Sequence, residues 1–127
     1  MSGAVRSGKT YISYFLIPKR IYELPKAHNN GGVLLIGKTE RTLKRNVLDP
    51  MRDIFGEAYV SNVYGDGEIR IFGRRCYIVG ANDERAVTKI QGLTLSYAYG
   101  DEVTTWPESF FQMLKSRLSV PGAKFDG

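Results

Sequence analysis

Residues 3–10 read Gly3-Ala4-Val5-Arg6-Ser7-Gly8-Lys9-Thr10, the spacing of a Walker A phosphate-binding loop. Each residue type has a physical reason to be there. Gly3 lets the chain turn back sharply, small loop residues let backbone N–H groups close round phosphate oxygens, and Lys9 reaches the β and γ oxygens. Thr10 would ligate Mg²⁺. A helix starting near Lys9 would add the positive end of its dipole to the same anion, which favours a polyphosphate over a neutral ligand. Much later, the apolar run from Leu95 to Gly100 ends in Asp101-Glu102, as a Walker B segment does. In that role Asp101 holds the Mg²⁺ shell, and Glu102 orients or deprotonates the water attacking the γ-phosphate. The two motifs together predict hydrolysis of a nucleotide held with Mg²⁺.

A second stretch, Gly32-Val33-Leu34-Leu35-Ile36-Gly37-Lys38-Thr39, satisfies the same loop pattern, so at least one match is a decoy. Val33 to Ile36 are large and mostly β-branched and favour a buried strand, whereas Ala4 to Ser7 are mostly small or polar and can wrap a phosphate. Lys9 is therefore read as the nucleotide lysine and Lys38 as a strand-end lysine. Arg6 inside the loop would lie close to the phosphates, either stabilising charge on the γ-oxygens or pairing with a nearby carboxylate. Asp83-Glu84 is the competing acidic pair. It follows Gly80-Ala81-Asn82 and is read as a helix cap. Arg85 and Arg117 are read first as surface salt-bridge residues and second as fingers reaching a neighbouring subunit.

The elements that must position these residues alternate along the chain. A helix is expected over 11–24, with Pro18 bending it and Pro25 closing it. Turn residues at 29–32 lead into a buried strand at Val33 to Ile36. Thr39 can cap a helix through about Leu48, where Asp49-Pro50 restarts or breaks it before Gly56 ends the second stretch. Strands are expected at Tyr59 to Tyr64, Glu68 to Phe72 and Cys76 to Val79, as antiparallel neighbours with turns at 65–67 and 73–75. Asp83 can cap a short helix to Ile90, Gly92 breaks it, and Leu95 to Gly100 delivers the acidic pair to a strand's C-terminal edge. Pro107 suits the first turn of a last helix with Phe110, Phe111, Leu114 and Leu118 as core packing. The pattern is that of an α/β sheet.

The chain has 127 residues, of which 43% are hydrophobic, enough for one domain with a real core. No stretch approaches a membrane span and no signal peptide precedes the loop, so a soluble intracellular protein is expected. Cys76, the single cysteine, excludes an internal disulfide, and its apolar setting suits a buried thiol. His28 is the single histidine, which argues against a zinc site or a Ser-His pair. The net charge of +5 leans mildly toward a polyanionic partner. Arg41, Lys44, Arg45 and Arg52 have spacings that let several share one helical face, which is either a DNA-contacting surface or a solvated one.

Taken in order, the arginine-containing loop, Tyr11 to Phe15, Lys89-Ile90-Gln91-Gly92-Leu93-Thr94, Tyr99-Gly100-Asp101-Glu102-Val103 and Leu114 to Ser119 before Pro121-Gly122 resemble the ATPase domain of a tailed-phage terminase large subunit of prophage type. The resemblance covers nearly the whole chain. It implies an ASCE-type P-loop NTPase, a three-layer sandwich with a mostly parallel sheet and an antiparallel hairpin. It also implies a motor that drives double-stranded DNA into a procapsid as a homo-oligomeric ring on the portal protein, with a small terminase subunit, in the bacterial host cytoplasm. Lys9 and Thr10 carry over as nucleotide and Mg²⁺ contacts, Arg6 as the loop arginine, Asp101 as the Walker B acid and Glu102 as the catalytic carboxylate. Gln91 stands where the family often has arginine, so the trans-acting finger is unassigned.

Only Met1-Ser2 precede Gly3 and the chain stops at Gly127, so residues 1–127 are expected to form a partial N-terminal ATPase domain. It would be truncated at both ends, lack the nuclease domain, and hydrolyse ATP weakly alone. Another P-loop enzyme, such as a helicase-like ATPase or a small kinase, and an inactive fragment are the alternatives.

Overall fold

In the computed structural model, residues 14–24, 32–65, 67–118 and 123–127 are described. Residues 14–23 are helical (α1) and are followed by β1 (Gly32–Gly37). Next come α2 (Glu40–Leu43), a π-helical turn (Lys44–Leu48) and α3 (Asp49–Phe55) in unbroken succession. Then come β2 (Glu68–Ile71), β3 (Arg74–Gly80), α4 (Ala86–Gln91), β4 (Leu95–Gly100), α5 (Glu108–Arg117) and β5 (Lys124–Asp126). The strands form one sheet in the order β2-β3-β1-β4-β5. β3, β1, β4 and β5 run parallel, and β2 is antiparallel to β3.

β1 is central, and Val33 to Ile36 are fully buried, as a parallel strand covered on both faces requires. Val33 and Leu35 pack with Ile17, Ile21, Leu43, Val47, Leu48 and Met51 on one face. Leu34 and Ile36 pack with Ile90, Phe110 and Leu114 on the other. The sheet thus lies between α1–α3 and α4–α5, an α/β sandwich of the expected class. Beside β1, β4 carries a register irregularity: Gly32 pairs with Leu95 but Val33 pairs with Tyr97. The extra residue reverses side-chain parity, so Leu95 and Ala98 share one core while Tyr97 and Tyr99 enter the other.

Asp49-Pro50 restarts the α-helix, as expected: α3 begins at Asp49 with Pro50 in its first turn, and the chain stays helical through the π turn before it. Proline cannot donate to the carbonyl four residues back, that of Asn46, and its ring crowds that carbonyl. The chain widens there into the π turn, and the Asn46 carbonyl accepts the Tyr14 hydroxyl of α1 at 2.9 Å. Thr39 caps α2 as expected, in a reciprocal box with Thr42.

The expected strand at Tyr59 to Tyr64 is a correction. This segment makes only isolated bridges, Val60 with Ile71 and Tyr64 with Glu68. The carbonyls of Val60 and Ser61 are taken by the Arg52 guanidinium at 2.7–3.2 Å, and Ser61 Oγ accepts the Arg70 N–H. Arg52 also pairs with Asp49 and so leaves the basic face assigned to it by spacing. The hairpin turn falls at Phe72-Gly73, both with positive φ, one residue earlier than expected. Cys76 is buried, and burial pushes its thiol up to about 12. Among the described residues no helix is long and apolar enough to cross a membrane.

Candidate functional site

The parallel strands β1, β3 and β4 end together, which gathers the segments after Gly37, Gly80 and Gly100 at one sheet edge. Backbone hydrogen bonds tie the exits. Ala81 N–H donates to the Gly37 carbonyl at 2.8 Å, Asn82 N–H to Lys38 at 3.2 Å and Asp101 N–H to Ile36 at 2.7 Å. The β3 exit lies almost on the start of α2: a Cβ at Gly80 would stand 2.7–2.9 Å from backbone atoms of Thr39 and Glu40.

Asp101 and Glu102 leave β4 at this edge, as expected. Asp101 is half-buried and Glu102 exposed. Glu102 has φ 54° and ψ 44°, a left-handed conformation rare for a residue with a side chain and found disproportionately at functional sites. The peptide planes on both of its sides are held. The Asp101 carbonyl accepts Trp106 Nε1–H at 3.1 Å, and the Glu102 carbonyl accepts Thr105 N–H at 2.9 Å and Thr105 Oγ1–H at 2.7 Å. Trp106 and Thr105 were not singled out by the sequence reading. The available signal was a lone tryptophan, whose N–H needs a partner when buried, a few residues after an acidic pair.

Burial raises the pKa of the Tyr14 phenol on α1, and the negative charge of Asp101 raises it further. The helix that follows the phosphate-loop motif in sequence is therefore electrostatically in reach of Asp101. Farther along α1, Arg20 pairs with Asp126 of β5 at 3.0 Å. The phenol of Tyr97, between these elements, is raised by burial and then by the Asp126 charge.

Gly3, Ala4, Val5, Arg6, Ser7, Gly8, Lys9 and Thr10 lie outside the described residues. The rival motif can be judged: Gly32 to Gly37 is strand β1, and Thr39 Oγ1 is committed to the Thr42 N–H of its own cap. It is a strand and a helix start, as its residue types predicted. The expected cap at Asp83 is a correction: α4 starts at Ala86 with Arg85 in the cap position and no side-chain cap, and Asp83 Oδ1 instead accepts the Arg85 N–H at 3.0 Å in the turn before it. Neither Arg85 nor Arg117 forms an ion pair among the described residues, against the salt-bridge reading of both. Arg41, Lys44 and Arg45 are exposed and, among the described residues, likewise without ion pairs. Among the described residues no three His, Cys, Asp or Glu side chains gather as a metal cluster. At the strand exit, Asp101 offers a carboxylate, a hard oxygen donor of the kind Mg²⁺ takes alongside water and phosphate.

The fold has a counterpart among solved structures. Over 95% of its length the chain is similar to the large terminase of a thermophilic bacteriophage, with 31% identity and a TM-score of 0.76. The same phage protein in complex with ATP-γ-S matches 95% of the chain at 30% identity and a TM-score of 0.72. Its complex with ADP matches 85% at 30% identity and a TM-score of 0.64. The chain spans 30% of the length of the phage protein in the first of these comparisons, 29% and 28% in the others. No family model and no curated protein matches it.

Proposed function

We propose that this chain, with the fold of a phage large-terminase segment, is part of an N-terminal ATPase domain whose hydrolysis drives double-stranded viral DNA into a procapsid. The observation that carries the reading is the Asp101-Glu102 pair at the exit of β4, with Glu102 in a constrained left-handed conformation. The chain's likeness to a protein crystallised with ATP-γ-S and with ADP adds support. In this reading residues 3–10 cradle the phosphates, with Lys9 on the β and γ oxygens and Arg6 beside the γ oxygens. Asp101 and Thr10 would hold Mg²⁺, which when bound neutralises charge on the phosphates. Glu102, exposed at the edge, orients a water and accepts its proton. The intact protein would work as a ring at the portal protein with a small terminase subunit, in the cytoplasm of the bacterial host.

Double-stranded DNA is a polyanion of the kind a net charge of +5 favours, and the exposed Arg41-Lys44-Arg45 face is the surface offered to it. The discriminating experiment uses the full-length protein. ATP hydrolysis stimulated by double-stranded DNA, lost in Lys9→Ala and without phosphate transfer to a small acceptor, supports the motor reading. Transfer to an acceptor means a kinase, and unaltered hydrolysis in Lys9→Ala removes the loop from the chemistry.

A further inference from the structure

We infer that Trp106 is a positioning residue for Glu102, acting through the backbone of the acidic pair; the inference rests on the hydrolytic reading of Glu102. Three observations meet at this side chain. Its indole N–H holds the Asp101 carbonyl at 3.1 Å and so fixes the peptide plane that enters Glu102. Thr105 fixes the plane that leaves it. With both planes held, the left-handed φ and ψ of Glu102 are set by the loop, and with them the direction in which its carboxylate leaves the main chain.

The second observation is steric. A Cβ at Gly100 would collide with Trp106 Cη2 and lie 2.8 Å from Cζ2, so the last residue of β4 is a glycine because the indole lies flush against the backbone there. The ring is locked to the strand that delivers the acids. The third is support from below. Trp106 is 8% exposed and meets Phe110 of α5 edge-on at 5.4 Å, with Phe125 of β5 at 6.2 Å and Phe111 at 6.2 Å. Phe111 and Phe125 also meet edge-on at 5.8 Å. An indole wedged among three rings has little freedom, and a hydrogen bond from a rigid donor orients its acceptor more firmly than one from a flexible chain. Phe125 adjoins Asp126, whose partner Arg20 is on α1, so the same indole joins the acidic loop to the strand that α1 grips.

The test uses two changes at position 106 in the full-length protein. Trp106→Phe removes the N–H and part of the ring. Replacing the indole N–H by sulfur, with benzothienylalanine, removes only the donor and keeps the shape. Both should lower kcat for ATP by about 10-fold or more, the scale of losing an outer-shell support, with KM for ATP within about twofold. The benzothienyl protein should keep the wild-type Tm. In a Glu102→Gln background the same changes should cost less than about twofold, because the group they position is gone. A purely structural role would cost the same in both backgrounds. Independently of nucleotide, amide hydrogen exchange at residues 102–106 should accelerate in the benzothienyl protein. Wild-type kcat and unchanged exchange in that protein overturn the inference. If Glu102→Gln alone leaves turnover intact, the hydrolytic reading fails, and the exchange measurement still decides whether Trp106 pins the loop.

Discussion

Replacing Tyr14 with phenylalanine should destabilise the domain, and the loss should largely disappear when Pro50 is replaced with alanine. Pro50 has no N–H to give the Asn46 carbonyl, and the Tyr14 hydroxyl fills that carbonyl from another helix at 2.9 Å. An acceptor stranded in the interior costs roughly 1–3 kcal/mol. Here both partners are half-buried, so water can partly replace the lost donor, and the cost should be about 1–1.5 kcal/mol. For a domain of this size that corresponds to roughly 3–8 °C in Tm. An alanine at position 50 returns a backbone N–H within one turn of Asn46, and the phenol is then dispensable. Urea unfolding of the wild type, both single variants and the double variant gives the cycle, with an expected coupling of about 1 kcal/mol. Additive losses, or a Tyr14→Phe cost below about 0.3 kcal/mol with proline present, would refute the argument that α1 repairs the proline's missing bond.

At the strand exits, Gly80→Ala places a Cβ 2.7–2.9 Å from the Thr39–Glu40 backbone and should cost about 1–3 kcal/mol in denaturant unfolding, while Gly92→Ala, with open space around it, should change little. Charge reversal at Arg41, Lys44 and Arg45 should weaken double-stranded DNA binding by the full-length protein. The slope of log affinity against log salt should become shallower by roughly 0.9 for each phosphate that is no longer neutralised. The buried Cys76 thiol, pushed up to about 12, should resist iodoacetamide at about pH 8 in the folded protein and react once it is unfolded in urea.

What the sequence disclosed followed how local the determining physics was. Val33 to Ile36 favoured a strand covered on both faces, which they form, and that composition also marked the second loop motif as the decoy. Thr39, Gly56 and Gly92 marked helix ends because capping and helix termination depend on the residue and its immediate neighbours. Tyr59 to Tyr64 was misread because its tyrosines and valines favour a strand, and nothing local announces that Arg52 takes its carbonyls. The π turn was hidden for a similar reason, since the compensating hydroxyl comes from α1, distant in sequence. At the site, the acidic pair was legible from an apolar run ending in two carboxylates. The left-handed Glu102 and its support by Trp106 were not, because they arise from a ring packing across Gly100.

The most direct test of the account is single-turnover ATP hydrolysis by the full-length protein carrying Glu102→Gln, with ATP binding measured in parallel. The account expects binding close to wild type and a hydrolysis rate lower by roughly 10²–10⁴, the range of a lost general base. Hydrolysis within about threefold of wild type would contradict it, because the carboxylate at the exit of β4 would then have no part in the chemistry.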